Sequence, residues 1–425
     1  MFYKMGSILA SFLIVPLTIS YLNTENYGVW LTISSFIGWF SFFDIGLGNG
    51  LRNKFAEAKA LGNFKDAKAF VSTAYYTIGI ISLIIVIIFT IVNQFINWAQ
   101  IFNAKSDLQN ELTILLPIVF SFFALRLIVS LITSIYQADQ NHSIQVKVQF
   151  FGQALSLFAI WLLTKMDKSS LLVFGVAFSA LPVIILAGLN IFAFRTTFKA
   201  FKPKLSLWKK KYLKEITGLG FRFFIVQIAA MILFSTDNFI ISKLFGPEEV
   251  VPYNVAFKYF SIITMIYTII IAPYWSSFTE AYSQKDFNWI KKSVKNIQKI
   301  WLLVPFVLTG MVCTADWFYE FWIGDNIHVP LKLSLAMALF VLLLTFNMIY
   351  VNFINGVGKI KVQLITSLIS MAINIPLSIY LGKYLGWGST GVILATCFSL
   401  SYSVILRPLQ YHKIINNNAE GIWNK

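Results

Sequence analysis

Long apolar runs alternate with short polar segments along the whole chain. A helix needs about 20 apolar residues to cross the hydrocarbon core of a bilayer. The pattern predicts spans near residues 5–22, 28–48, 70–92, 112–136, 146–164, 170–194, 221–244, 251–275, 300–315, 331–354, 363–381 and 389–408. The ninth run is short and is expected to extend a few residues either way. The first lacks a clear small-residue cleavage site, so we interpret it as a retained helix.

Composition supports a location in the membrane. Of the 425 residues, 57% are hydrophobic and 12% are charged, whereas about 25% of the residues of a typical soluble domain are charged. The formal net charge of +16 is compatible with nucleic-acid binding, but the basic residues occupy short segments between apolar runs, as they do in membrane proteins. We therefore expect membrane lipids, and no nucleic acid, as partners.

The basic residues also predict the orientation, because cytoplasmic loops of membrane proteins carry an excess of Lys and Arg. With twelve spans and a cytoplasmic N-terminus, 25 of the 34 basic residues fall on the inner side and 5 on the outer side. A missed or extra helix would invert every later loop and remove this asymmetry. The distribution thus predicts about twelve spans with both termini in the cytoplasm.

A basic segment, residues 195–220, divides the predicted spans into two sets of six. It separates an N-terminal lobe of residues 1–194 from a C-terminal lobe of residues 221–425. Both lobes then have the same orientation in the membrane, as in the parallel repeats of transporters, whose substrate sites lie between the repeats. The predicted fold class is an all-α membrane protein of two six-helix bundles.

Weak internal similarity supports this division. Residues 55–58 (FAEA) follow the second span, and residues 278–281 (FTEA) follow the eighth. Polar residues at matching helical spacing mark the fifth and eleventh spans. These stripes are Gln145, Gln149, Gly152 and Ser156 in the fifth span, and Gln363, Ser367, Ser370 and Asn374 in the eleventh. The alternative is a chance match in a chain that uses few residue types.

Charged residues inside spans are the candidate functional residues, because a charge deep in a bilayer is costly. Arg126 lies in the middle of span four, and Lys258 lies in span eight near Asn254. Cations in separate helices with few acids among them indicate an anionic ligand, and the planar fork of Arg matches phosphate oxygens. The candidate substrate-binding residues are Arg52, Arg126, Lys258, Asn254 and Lys4.

Two acidic residues are candidates for ion coupling or for charge pairing. Asp44 lies near the inner end of span two, and Asp237 lies in span seven. Each could carry a coupling proton. Alternatively, the pairs Asp237–Lys258 and Asp44–Arg52 could serve only to fix the packing of helices. The sequence leaves both interpretations open.

The sequence contains no recognisable enzyme motif. Residues 46–50 (GLGNG) are rich in glycine, but they follow a membrane span rather than a strand of a βαβ unit, so they do not predict a dinucleotide site. There is no Walker motif, and the three His and two Cys lack the spacing of metal ligands. We expect no catalytic residues, no metal and no cofactor; coupling to a proton or sodium gradient is compatible with the acidic residues.

The chain resembles the Wzx-type O-antigen and polysaccharide flippases, which share a superfamily with the MATE multidrug exporters and the lipid II flippases. The resemblance covers the whole chain, with twelve spans in two bundles of six. Its motifs are residues 11–17 (SFLIVPL), 27–30 (YGVW), 44–54 (DIGLGNGLRNK), 57–58 (EA), 237–241 (DNFII) and 245–246 (FG). Lipid II flippases usually carry two further helices, which the predicted spans lack.

The resemblance implies a substrate and a mechanism. A Wzx-like protein turns an undecaprenyl-pyrophosphate-linked oligosaccharide repeat unit from the inner to the outer leaflet of the bacterial cytoplasmic membrane by alternating access. The product is used for O-antigen, capsule or exopolysaccharide synthesis. Arg52, Arg126 and Lys258 would then engage the pyrophosphate or acidic sugars. The expected protein partners are a polysaccharide polymerase and a chain-length regulator.

Two other functions are compatible with a protein of this class. An ion-coupled exporter of cationic drugs, of the MATE type, should have an acid-rich site, because a cation in low dielectric needs a compensating charge. Here acids are the minority among intramembrane charges. A membrane-embedded polymerase or ligase usually needs a large outer loop, and the outer segments near 93–111 and 316–330 are short. A flippase is therefore the preferred hypothesis.

Overall fold

The computed structural model describes residues 2–40, 47–141, 143–166, 168–217, 236–271, 273–325 and 327–424. Within these ranges the chain forms helices joined by short turns, and it contains no strand. Ten helical stretches of the described chain are long and apolar enough to cross a membrane. The predicted all-α, multi-pass membrane protein is confirmed. The count of twelve spans and the cytoplasmic position of both termini stay predictions.

The chain divides into two compact units, residues 1–228 and 229–425. The core of the first unit lies around fully buried residues such as Leu51, Phe55 and Phe198. The α-helices in its described part are α1 (Phe2–Gly38), α2 (Leu47–Ala60), α3 (Phe64–Asn93), α4 (Trp98–Phe102), α5 (Gln109–Ala138), α6 (Ser143–Leu163), α7 (Leu171–Arg195) and α8 (Lys210–Thr217).

Helix α1 is interrupted at Asn23. This residue has φ 67° and ψ 170°, outside the helical region, so the residues before and after it form two helices. The backbone N–H of Asn26 donates to the side-chain oxygen of Asn23 at 3.0 Å. This is how an N-cap residue satisfies a free N–H at the start of a helix. The break lies at the predicted boundary between spans one and two.

The segment at the end of the predicted second span forms helix α2 from residue 47 onward. Its apolar residues Leu47, Leu51, Phe55 and Ala58 are buried, and they recur at the spacing of one helix face. The intervening residues are largely polar, which lowers the mean hydropathy below that of a span. An amphipathic helix on one side of the membrane therefore resembles a loop in a search for apolar runs.

The predicted linker, residues 195–220, is folded against the first unit in its described part. Trp208 Nε1 donates to Thr77 Oγ1 at 2.9 Å, and the Tyr212 hydroxyl donates to Asp66 Oδ1 at 2.7 Å, so both contacts join this segment to α3. The hydrogen bond to Asp66, together with burial, raises the pKa of Tyr212 to about 12. Tyr212 is therefore neutral at physiological pH and serves as a donor.

Gly50 is the contact point between α2 and α8. A Cβ atom added at Gly50 would lie 2.2 Å from the backbone oxygen of Ile216, which is far inside van der Waals contact. Only a residue without a side chain allows the two backbones to approach this closely. The glycine-rich segment of residues 46–50 thus has a packing role at its last position.

The second unit is also helical throughout its described part. Its α-helices are α9 (Asp237–Phe245), α10 (Val250–Ile271), α11 (Tyr274–Ser283), α12 (Phe287–Trp301), α13 (Leu303–Cys313), α14 (Ala315–Ile323), α15 (Leu331–Gly356), α16 (Lys361–Ile379) and α17 (Gly388–Ile415). A short π-helical turn, Tyr380–Tyr384, follows α16. Helices α10 and α17 both pack against α15, which carries many of the buried residues of this unit.

The ninth span begins earlier than predicted. Residues 300–315 are expected from the apolar run, but α12 begins at Phe287 and leads through Leu302 into α13. Helix α12 buries Ile290, Val294 and Ile297 on one face, while its lysines are exposed on the other. The lysines that precede the predicted ninth span therefore lie on the polar face of a helix.

The turn between α2 and α3 is held by two backbone hydrogen bonds. Asn63 N–H donates to the Ala58 oxygen at 2.8 Å, and Gly62 N–H donates to the Lys59 oxygen at 3.1 Å. Gly62 has a left-handed conformation, with φ 71°. These features define a Schellman motif, which ends a helix by satisfying its last carbonyl groups.

The same turn recurs between α11 and α12. Asp286 N–H donates to the Ala281 oxygen at 2.9 Å, and Lys285 N–H donates to the Tyr282 oxygen at 3.1 Å. Lys285 is left-handed, with φ 59°. Each of these residues follows its counterpart in the first turn by 223 positions. The short sequence similarity between residues 55–58 and 278–281 therefore accompanies one local structure present in both units.

Candidate functional site

One face of α5 carries the polar residues of the predicted fourth span. Arg126 is exposed about midway along this 30-residue helix, and it makes no hydrogen bond with the residues that the structure describes. Ser130 and Thr133 lie on the same face, and their hydroxyls donate to backbone oxygens of α5 at 3.0 and 2.8 Å. The hydroxyls are thus satisfied within the helix, whereas the guanidinium is available to a ligand or to water.

Arg52 lies at the end of the same polar face. Its Nη1 donates to Oε1 of Gln137 on α5 at 3.3 Å, and Nε2 of Gln137 donates to Oε1 of Gln145 on α6 at 2.6 Å. Gln137 lies eleven residues beyond Arg126, about 16 Å along the helix. The structure therefore brings Arg52 and Arg126 to one helix face without placing them in contact.

Lys4 lies on another helix, at the beginning of α1. The side chain of Lys4 is half-buried. The Nζ atom of Lys147 lies 5.9 Å from the centroid of the neighbouring Tyr3 ring. Asp44 lies outside the described residues, so the hypothesis that it pairs with Arg52 stays a prediction.

In the second unit, two adjacent residues of α9 bond two adjacent residues of α10. The Tyr253 hydroxyl donates to Oδ2 of Asp237, and the side chains of Asn238 and Asn254 exchange hydrogen bonds at 2.8 and 3.4 Å. Oδ2 of Asp237 is thus bonded to Tyr253. The pairing of Asp237 with Lys258, one of the two interpretations of the sequence, stays a prediction. The Oδ1 atom of Asp237 is buried and has no hydrogen-bond partner in the described part of the chain.

Asn254 and Lys258 have different surroundings on α10. Besides its bonds to Asn238, Nδ2 of Asn254 donates to the backbone oxygen of Val250 at 2.8 Å, so its amide holds α9 and α10 together. Lys258 lies one turn further along the helix and is half-buried. Substrate binding by Lys258 and by Asn254 stays a prediction.

Arg407 was not predicted as a site residue, because it lies at the inner end of the predicted twelfth span. Helix α17 continues to Ile415, so Arg407 lies well inside the helix. Its Nη1 donates to Oε1 of Gln363 at 3.4 Å, while its Nε atom is buried without a hydrogen-bond partner among the described residues. The polar stripe that begins at Gln363 is the signal that could have indicated a partner for this cation.

The rest of that stripe on α16 packs against α17. Ser370 Oγ donates to the Ser399 backbone oxygen at 3.0 Å, and Asn374 Nδ2 donates to Thr396 Oγ1 at 3.0 Å. Ser370 and Asn374 are both buried. Hydrogen bonds of this kind join helices in an apolar environment. The stripe in the eleventh span thus has a packing role, whereas Gln145 and Gln149 of its counterpart are exposed.

The donor set favours anions over metal ions. No three His, Cys, Asp or Glu side chains of the described chain come together as metal ligands. Cys313 is exposed and Cys397 is buried, and neither is in a disulfide. The cationic groups Arg126, Arg407 and Lys258 lie within predicted spans, and Asp237 is bonded to a tyrosine. Each of these cationic groups can attract a phosphate group.

Two family models match the chain. The model described as polysaccharide biosynthesis protein matches residues 1–279, and the model described as MatE matches residues 223–380. The first model covers more than half of the chain.

Relatives with related descriptions are found among bacterial proteins. The chain is 22% identical over 368 residues to a Yersinia pseudotuberculosis protein described as an O-antigen export protein. The aligned residues cover 84% of this chain and 82% of that protein. It is 22% identical over 288 residues to a Salmonella typhimurium protein described as an O-antigen transporter. Here the aligned residues cover 65% of this chain and 63% of that protein.

Solved structures of transporters show the same fold. An inward-facing multidrug resistance MATE family transporter of the MOP superfamily superposes with a TM-score of 0.77 at 15% identity, over 98% of this chain and 95% of that one. An outward-facing structure of such a transporter gives 0.62 at 14% identity, over 99% and 96%. The chain therefore has the fold of the MATE transporters and belongs to the polysaccharide biosynthesis protein family.

Proposed function

We propose that this protein moves lipid-linked oligosaccharide repeat units from the inner to the outer leaflet of the bacterial cytoplasmic membrane. The carrier lipid is undecaprenyl pyrophosphate, and the product enters O-antigen, capsule or exopolysaccharide synthesis. Family membership, relatives described by O-antigen export and the transporter fold support this proposal. The structural observation that carries it is Arg126, an exposed cation midway along a membrane helix.

The proposed mechanism is alternating access with the pyrophosphate as the group that is held. Arg126 offers a planar fork that can bind two phosphate oxygens at once. Arg52 lies on the same face of the site, about 16 Å further along α5 by way of Gln137. A phosphate that moves along this face would pass from one guanidinium to the other.

Asp237 is the residue we propose for ion coupling. Its carboxylate is buried, and Oδ1 has no hydrogen-bond partner among the described residues. A carboxylate in such surroundings gains stability from a proton or a sodium ion. The Tyr253 hydroxyl fixes the other oxygen, so the free oxygen keeps one position. Binding and release of the cation at this oxygen would drive the conformational cycle.

Leaflet-resolved analysis of a deletion strain tests the proposed function. We expect lipid-linked repeat units to accumulate on the inner leaflet and surface polysaccharide to be lost. The wild-type gene should reverse both effects. Accumulation on the outer leaflet would instead indicate a polymerase or ligase. Unchanged glycan with increased sensitivity to cationic drugs would indicate an exporter. Pull-down of a polymerase or a chain-length regulator with a tagged copy of this protein, expressed in the complemented strain, tests the proposed protein partners.

A further inference from the structure

An apolar groove runs between α1 and α6 in the first unit. Its volume is about 680 Å³, within the range of about 300–1,000 Å³ that is typical of ligand pockets. The floor consists of small residues, Gly6, Ala10 and Ala154. The larger residues that line it are Leu9, Leu13, Pro16, Leu17, Phe150, Leu157, Phe158 and Trp161. The groove therefore presents hydrocarbon and aromatic rings to its occupant.

The small residues of the floor explain why the groove exists. A Cβ atom added at Gly6 would lie 2.4 Å from the Phe150 ring, so this glycine lets the ring lie across α1. Further along, the side chains of the walls remain open to the outside: Leu9 is 63% exposed, and Leu13 and Phe158 are each 54% exposed. In a membrane protein, large apolar side chains that the protein itself leaves exposed are covered by lipid chains.

The two helices run parallel along the groove, because residue numbers rise together on both sides. Tyr3 contacts Phe150 at one end, with ring centroids 5.4 Å apart, and Leu17 and Trp161 line the other end. The distance from Gly6 to Leu17 is about 16 Å at 1.5 Å per residue. The hydrocarbon core of a bilayer is about 30 Å thick, so the groove matches the depth of one leaflet.

One end of the groove is cationic. Lys4 on α1 and Lys147 on α6 both lie at the Tyr3 end, and the Nζ atom of Lys147 is 5.9 Å from the centroid of the Tyr3 ring. Both lysines are half-buried, and in the described part of the chain neither forms an ion pair. A cationic end joined to an apolar groove of one leaflet's depth is complementary to a lipid with an anionic head.

We propose that this groove binds the polyprenyl chain of the lipid-linked substrate, with its pyrophosphate near Lys4 and Lys147. The inference rests on the proposed function and names a binding site for the part of the substrate that stays in the membrane. A pyrophosphate carries more negative charge than the phosphodiester of a phospholipid, so it gains more from two lysines. The predicted orientation places this end of the groove on the cytoplasmic side, where the substrate is taken up.

A variant that fills the groove tests the proposal. We expect Ala154→Trp to weaken binding of undecaprenyl pyrophosphate to the purified full-length protein in detergent by at least tenfold, as measured by native mass spectrometry. Gly188→Trp is the matched control, because Gly188 is exposed on α7 and a Cβ atom there meets nothing within 4 Å. It should bind within twofold of the wild type.

A second variant keeps the groove intact. In the double variant Lys4→Gln, Lys147→Gln we expect weaker binding of undecaprenyl pyrophosphate and unchanged binding of uncharged undecaprenol. This comparison decides the matter even if Ala154→Trp does not fold.

Four results would overturn the proposal. Wild-type affinity in Ala154→Trp would exclude the groove, and equal competition by phosphatidylglycerol would make it a site for bulk lipid. A change of oligomeric state in Ala154→Trp, without a change in lipid binding, would make it an interface between two copies of the chain. Each of these leaves the proposed function in place. Failure of the wild-type protein to bind undecaprenyl pyrophosphate would overturn both.

Discussion

Gly62 and Lys285 hold the same left-handed backbone conformation at the same step of two copies of one turn, with φ of 71° and 59°. Glycine adopts this conformation without steric cost. For another L-residue it costs roughly 1–2 kcal/mol, because Cβ comes close to the following carbonyl oxygen. The two units therefore build one turn with unequal local strain.

This inequality predicts that Lys285→Gly stabilises the second unit. Relief of strain is partly offset by the larger conformational freedom of glycine in the unfolded chain, so the expected gain is about 0.5–1 kcal/mol. It should appear as a higher Tm in detergent. Lys285→Ala retains the Cβ atom and should show no gain. An equal gain in both variants would assign the effect to the loss of charge.

Gly50→Ala should separate α8 from α2. The added Cβ would meet the Ile216 backbone oxygen at 2.2 Å, and backbone cannot move aside as a side-chain end can. We expect a lower Tm and increased proteolysis near residues 205–217. Gly79→Ala on α3 is the control, because a Cβ atom there meets nothing within 4 Å. Equal thermal stability of Gly50→Ala and the wild type would contradict the packing role.

Arg126→Gln should reduce transport of lipid-linked repeat units by at least tenfold, which corresponds to about 1.4 kcal/mol. The substitution removes the charge and the bidentate fork from the middle of α5 while retaining a polar side chain. Transport in proteoliposomes at matched protein levels is the measurement. Arg195→Gln, at the exposed end of α7, is the control and should transport normally. Equal rates in the two variants would remove Arg126 from the site.

Gln363→Leu should destabilise the second unit more than Gln145→Leu destabilises the first. Arg407 would lose the acceptor of its Nη1 group inside α17, and an unsatisfied buried donor costs about 1–3 kcal/mol. Gln145 is exposed, so water can replace its contact with Gln137. Thermal unfolding of both variants is the measurement. Equal changes would mean that the guanidinium of Arg407 reaches water.

Asp237→Asn should abolish the dependence of transport on a proton or sodium gradient. The amide keeps the shape and can still accept from Tyr253, but it no longer attracts a cation. Tyr253→Phe is the complementary variant, since it removes the hydrogen bond and retains the carboxylate, and it should keep gradient dependence. Gradient-driven transport by Asp237→Asn at the wild-type rate would show that coupling resides elsewhere.

Hydropathy predicts most of the long helices because each apolar run must satisfy its own backbone in lipid. A hydropathy search misses a helix that has one face buried in the protein and the other face in contact with polar surroundings. Helix α2 and the first part of α12 are such cases: Phe55 and Ile290 are fully buried, yet the lysines on the opposite faces lower the average. A search for 3.6-residue periodicity would have found both.

The hydrogen-bond partners of the intramembrane charged residues were harder to predict from the sequence. Arg126 is recognised at once because it interrupts an apolar run. The hydrogen bond from Tyr253 to Asp237 depends on how α9 turns against α10, and hydropathy carries no information on this rotation. Arg407 was missed for a different reason, since it lies one residue from the predicted end of the twelfth span, whereas α17 continues to Ile415.

The break at Asn23 has a consequence for the sidedness of the whole chain. A straight helix of 37 residues would be about 55 Å long, nearly twice the thickness of a bilayer core of about 30 Å. Asn23, outside the helical region, divides this length at the predicted boundary between the first two spans. In the predicted topology the two pieces cross the membrane separately, and Asn23 then sets the parity of the crossings.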